Sequence, residues 1–128
     1  VNGGPQFTYV SLDDFRIVFG ALTGSSQYTL EDRKNIPYTI FLTPPLSRVG
    51  LTEEDAINKG YTVKTKEMLV ATMPRAHVND YLKGAFKIVV DADSNLILGA
   101  TLYSQGAEEL INLSPENINN QIKVPKVL

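Results

Sequence analysis

The sequence predicts an α+β domain: a mostly antiparallel sheet with helices packed on one face. Three observations carry this. Segments rich in β-branched and aromatic residues recur between residues 36 and 103, joined by short turn-forming stretches. Residues 6–22 place apolar side chains at helical period. Two further helix starts, near Thr52 and Gly106, carry acids in their first turns, where the helix dipole favours negative charge.

The elements follow in chain order. Asn2-Gly3-Gly4-Pro5 reads as a helix entry, because proline suits a first helical position. Residues 6–22 then present Leu12, Phe15, Phe19 and Leu22, with a second row at Phe7, Val10, Ile17 and Ala21. Such a helix is too apolar to stand alone in water. Gly24-Ser25-Ser26 ends it. Residues 25–35 are polar, with charges clustered at residues 31–34, and read as a linker.

Residues 36–42 favour a strand, which Pro44-Pro45 stops. Thr52 caps the next helix, and Asp55 three residues on completes a capping-box-like arrangement. Gly60 stops that helix. Residues 61–68 read as a strand that residues 69–73 extend, and residues 74–83 as a connection. Residues 85–91 and 96–103 form a β-hairpin around Asp93-Ser94-Asn95, with Gly99 a bulge or close-packing point. A last helix begins at Gly106 and is interrupted at Ser114-Pro115.

Composition narrows the function classes. The chain has 128 residues, 43% of them hydrophobic and 20% charged, which is one globular domain with a core. A formal charge of −2 gives no electrostatic footprint for nucleic acid or an anionic membrane. No apolar run is long enough to span a bilayer. The chain carries no cysteine, which excludes disulfides and thiol chemistry within it and accords with a cytoplasmic location.

Several pieces together resemble a known family. Phe41-Leu42-Thr43-Pro44-Pro45, the run from Ser47 through Val49-Gly50-Leu51-Thr52-Glu53-Glu54 to Ala56, Gly84-Ala85-Phe86-Lys87, Leu98-Gly99-Ala100 and Gly106-Ala107-Glu108-Glu109 are similar to the C-terminal interface domain of class I pyridine nucleotide-disulfide oxidoreductases. That family includes glutathione reductase, dihydrolipoamide dehydrogenase and mercuric reductase. The run from Gly3 to Arg16, with Pro74-Arg75-Ala76, resembles the bacterial reactive chlorine-stress and hypothiocyanous acid reductase subgroup.

The resemblance implies residues 1–24 as the tail of a FAD-binding domain, 25–35 as a linker, 36–113 as the dimerisation domain and 114–128 as a divergent tail. It implies a homodimer, with no nucleic-acid or membrane partner. In the family the first helix points its amides at the flavin, so Gln6, Phe7 and Thr8 are the implied flavin-facing residues. FAD and NAD(P)H are implied for the parent enzyme, with none bound by this fragment and no activity from it alone. The family's redox cysteines and its glycine-rich dinucleotide motifs do not occur in this chain. Nor does its His-Pro catalytic dipeptide; Val124-Pro125 stands near that place. The alternative is a free-standing α+β protein-interaction module without redox activity.

Other candidates have plainer readings. His77, the one histidine, reads as a loop or surface residue rather than a metal ligand or base. Arg75 reads as a surface or interface cation, with a substrate or partner anion as the functional option. Asp13 and Asp14 point about 100° apart on a helix and read as a solvated face. The aromatic residues read as core and interface packing.

Overall fold

A computed structural model describes residues 6–113 together with 118, 121, 123 and 124. The chain divides into two compact units between Lys34 and Asn35.

The first unit is built on α1 (Thr8–Thr23), which ends where Gly24 adopts φ 66°. Gln6 and Phe7 precede the helix, so its start lies later than a Pro5 entry requires; residues 1–5 fall outside the described residues. The linker after it is ordered by side chains. Thr29 and Asp32 cap a short 3-10 turn reciprocally. Arg33 then reaches back twenty residues: its Nε donates to Asp13 at 2.6 Å and its Nη2 pairs with Asp14. Asp13 and Asp14 are thus held by one guanidinium fork rather than standing on a solvated face.

The second unit is a five-stranded sheet, antiparallel at every pairing. Its strands are β1 (Tyr38–Ile40), β2 (Leu46–Gly50), β3 (Val63–Leu69), β4 (Ala85–Asp91) and β5 (Ile97–Tyr103), in spatial order β1-β2-β5-β4-β3. The sequence reading lacks β2. Leu46-Ser47-Arg48-Val49-Gly50 has little strand propensity of its own; it is held from both sides, by β1 and by β5. Thr43-Pro44-Pro45 turns the chain between β1 and β2 rather than ending the sheet.

Register assigns the two faces. Val49, Ala100 and Ile88 are cross-strand neighbours on one face, as are Ser47, Leu102 and Phe86. Helix α4 (Ala107–Leu110) and the 3-10 turn after it cover this face, with Ala107 and Ile111 packed on Val49, Ala100 and Leu102. Helix α3 (Pro74–Val78) lies on the same side, sharing a cleft with Phe86 and Leu110. It stands within the stretch expected to be a plain connection, started by Pro74 at its first position.

Helix α2 (Glu53–Asn58) lies over one end of the opposite face. Ala56 packs there with Val89, Leu98, Leu51 and Val63. Two ion pairs tie it down, Lys87 Nζ to Glu53 at 2.6 Å and Arg48 Nη2 to Asp55 at 3.5 Å. Its capping box forms as the sequence predicts: Asp55 N–H donates to Thr52 Oγ1 at 2.8 Å, and Thr52 N–H to the Asp55 carboxylate at 3.2 Å. The one-face arrangement therefore holds for α3 and α4, while α2 turns under the sheet after Gly50.

The β4–β5 hairpin is closed by Asp91. Its carboxylate accepts the Ser94 hydroxyl, the Ser94 N–H at 3.1 Å and, more weakly, the Asp93 N–H at 3.5 Å. The Ser94 hydroxyl is the largest influence holding this carboxyl below its ordinary value of 3.8; burial opposes it, and the two N–H donors reinforce the lowering. A carboxyl depressed in the folded state stabilises the fold at pH above its unfolded value, and that contribution is lost as pH falls through the folded value. Acid unfolding of the wild type should accordingly be steeper below about pH 5 than that of Asp91→Asn, which has no charge to lose. Parallel pH–stability curves for the two proteins would remove Asp91 from the account. Residues of the C-terminal tail reach this turn: Lys123 bridges Leu96, and Val124 N–H donates to the Asn95 carbonyl at 2.9 Å.

Candidate functional site

Two surfaces carry chemistry. The first is the start of α1. Phe7 is the N-cap residue, with extended backbone at φ −120° and ψ 145°, and its carbonyl accepts the Ser11 N–H at 3.1 Å. Among the described residues no side chain caps this end, and no acid stands in the first turn. Helices commonly satisfy their leading N–H groups with a Ser, Thr, Asp or Asn at this position. Here Gln6, Phe7 and Thr8 stand at a helix end whose first turn carries no carboxylate to offset the positive dipole. That arrangement fits an electron-rich, uncharged or anionic group of a ligand.

Further along α1, Leu12, Phe15, Val18, Phe19 and Leu22 are all exposed. Phe15 and Phe19 stack with ring centroids 5.7 Å apart, one helical turn from each other. A stripe this apolar on a sixteen-residue helix marks a contact surface.

The second surface belongs to the sheet unit. His77, placed at α3, has Nε2 2.7 Å from the Ala71 carbonyl, so Nε2 carries the proton and donates; this is a local structural bond. Arg75 stands on the rim of a cleft of about 200 Å³, floored by Val70, Met73, Ala76 and Phe86. Drug-sized ligand pockets run from about 300 to 1,000 Å³, so this cleft is too small for a dinucleotide. Among the described residues no group of three or more His, Cys, Asp or Glu side chains is placed to hold a metal. No described helix is long and apolar enough to cross a membrane.

What the sheet unit offers instead is apolar surface. The row Ile40, Leu46, Tyr103, Ala85 and Leu69 crosses all five strands as consecutive register partners, on the face that α2 only partly covers. Sequence reasoning missed it. The row appears only once β2 is placed between β1 and β5, since Leu46 is its link to Ile40.

Fold and surfaces together define an α+β interface module, built around contact area. Comparison with known proteins agrees. The family model for the pyridine nucleotide-disulphide oxidoreductase dimerisation domain matches residues 36–126. The chain belongs to that family. It is 47% identical over 113 residues to the probable pyridine nucleotide-disulfide oxidoreductase RclA of Escherichia coli (strain K12), covering 88% of this chain and 26% of that protein. It is 37% identical over 111 residues to a mercuric reductase of Staphylococcus aureus, covering 87% of this chain and 20% of that protein. The solved structure of the HOCl-induced flavoprotein disulfide reductase RclA from Escherichia coli superposes with a TM-score of 0.86 at 40% identity, over 98% of this chain and 31% of that one. The chain thus spans between a fifth and a third of the length of these relatives.

Proposed function

We propose that this chain is the pairing module of a flavin-dependent NAD(P)H:disulfide-type oxidoreductase, catalytically incomplete by itself, and that it assembles as a homodimer. The match of residues 36–126 to a dimerisation domain carries this reading. The flavoprotein named in the solved relative supports FAD, with NAD(P)H as the reductant, for the parent enzyme. When bound, the flavin would relay an electron pair from the nicotinamide to a disulfide, reducing it to a dithiol. This chain contains no cysteine, so the dithiol would be supplied by other residues of the parent. A cytoplasmic setting suits dithiol chemistry, because thiols there stay reduced.

In this reading Gln6, Phe7 and Thr8 face the flavin. The uncapped, acid-free start of α1 supports it: leading N–H groups and the dipole stabilise negative charge that develops on a reduced flavin. The apolar stripe of α1 would be covered by the flavin-binding domain.

Expression of the gene's complete reading frame tests the proposal. The product should be yellow and should oxidise NAD(P)H; a colourless, inactive product would overturn it. In the yellow enzyme, Thr8→Glu should shift the flavin reduction potential to a more negative value. An unchanged potential would remove Gln6, Phe7 and Thr8 from the flavin's surroundings while leaving the enzyme class standing.

A further inference from the structure

The two edges of the sheet differ. At one edge β1 is three residues long and runs directly on towards Pro44-Pro45, so little of it is left to pair. At the other, β3 runs seven residues from Val63 to Leu69 and contains no proline. Its register with β4 is continuous, and the irregularity at Val89/Val90 lies between β4 and β5. Shortness, proline and bulges are ordinary means of closing an edge to further pairing, and β3 uses none of these three.

Hydrogen bonds at the two ends of β3 fix which backbone groups face outward. Ala92 N–H donates to the Thr62 carbonyl at 2.6 Å, and Val70 N–H to the Gly84 carbonyl at 3.0 Å. Antiparallel partners alternate between bonded and non-bonded pairs, so Lys64, Lys66 and Met68 bond to β4. Val63, Thr65, Glu67 and Leu69 turn their N–H and C=O groups away from the sheet, where no described strand meets them. Lys64 and Lys66 are register partners of Val90 and Ile88 and share one face, while Thr65 and Glu67 stand on the other. Both lysines are exposed, and neither has an ion-pair partner among the described residues. Beyond them Met68 is 47% exposed and Leu69 55%.

We propose that β3 is a docking edge for an extended acidic segment of a partner protein, which adds to the sheet as a further strand. The outward N–H and C=O groups supply main-chain bonds, and carboxylates opposite Lys64 and Lys66 supply selectivity. Apolar residues alternating with those carboxylates fall on the other face, beside Thr65 and Leu69, and bring no second acid to Glu67. A second copy of this chain is a poor occupant. Antiparallel pairing about Thr65 sets Lys64 of each copy against Lys66 of the other, like charge on like charge. Protection of the edge from aggregation accounts for the two lysines but not for the exposed apolar end at Met68 and Leu69. The docking edge goes beyond the pairing role and does not depend on it.

Calorimetric titration of the chain with a capped peptide, Thr-Glu-Val-Glu-Val-Glu-Val-Thr, tests this. The peptide should bind at least roughly tenfold tighter than its counterpart with lysine in place of glutamate, and added salt should narrow the difference. Thr65→Pro removes an outward N–H and no bond to β4, so the variant should keep its unfolding midpoint and lose at least roughly tenfold in affinity. If its midpoint collapses, peptides methylated on either set of alternate backbone nitrogens take its place against the wild type. One set should abolish binding and the other leave it. Lys64→Glu combined with Lys66→Glu should invert the preference between the acidic and basic peptides. Absence of binding by the acidic peptide would overturn the docking edge. So would equal binding of the two peptides, or binding untouched by both Thr65→Pro and backbone methylation.

Discussion

Gly99→Ala should destabilise the sheet unit by about 3 kcal/mol or more, lowering the melting temperature by roughly 10 °C. A Cβ at this position would run into the Leu51 carbonyl oxygen and lie 2.9 Å from the Leu51 nitrogen. Leu51 has no room to retreat without loss, because its N–H donates to the Leu98 carbonyl at 2.9 Å. Gly99 also pairs with Gly50 across β2 and β5, and Gly50 sits at φ 72°. The two backbones approach where neither residue carries a side chain. Relief of the clash therefore requires β2 and β5 to separate, which opens the centre of the sheet. Gly60→Ala supplies the control. Gly60 has φ 85°, yet nothing lies within 4 Å of an added Cβ. Its cost is the left-handed backbone alone, about 1–2 kcal/mol. Equal urea midpoints for the two variants would show that close packing at Gly99 is not what the sheet depends on.

Gly99 was legible as a close-packing point because a glycine inside a strand pattern has few other uses. The Thr52–Asp55 cap, the hairpin turn and α1 were legible for a similar reason, since each is specified by residues within a few positions of one another. The misses share the opposite property. β2 exists through partners that are distant in sequence, as Val49 with Ala100 shows. The Arg33 fork joins residues twenty apart, so two adjacent aspartates on a helix gave no sign of it. The apolar row is a product of register: one residue each from five strands, none adjacent in the chain. The candidate flavin-facing residues were named through resemblance; their local physics, an uncapped helix start, became visible only once Phe7 proved to be the N-cap. α3 was available to the eye at Pro74 but is only five residues long, too short for periodicity to register.

Ile111 makes the second large prediction, and its neighbour sharpens it. Ile111 is 1% exposed, although it lies in a 3-10 turn near the end of the described main segment. It packs with Ala107 on Val49, Ala100 and Leu102, and so fastens α4 to the middle of the sheet. Ile111→Ala would remove the branched end of that side chain from a site walled by two strands and a helix. Rigid walls collapse little, so the cost should include a cavity as well as the lost burial, about 2–5 kcal/mol in all. Leu113, two residues on, is 68% exposed, and Leu113→Ala should change stability by less than about 0.5 kcal/mol. The pair separates two explanations for α4. If the helix is held by its contact with the sheet, only Ile111→Ala will lower the unfolding midpoint. If the last turn is held by its own propensity, both alanines will leave the midpoint alone or raise it, because alanine is the stronger helix former. The second outcome would also undo the assignment of this face as the buried one.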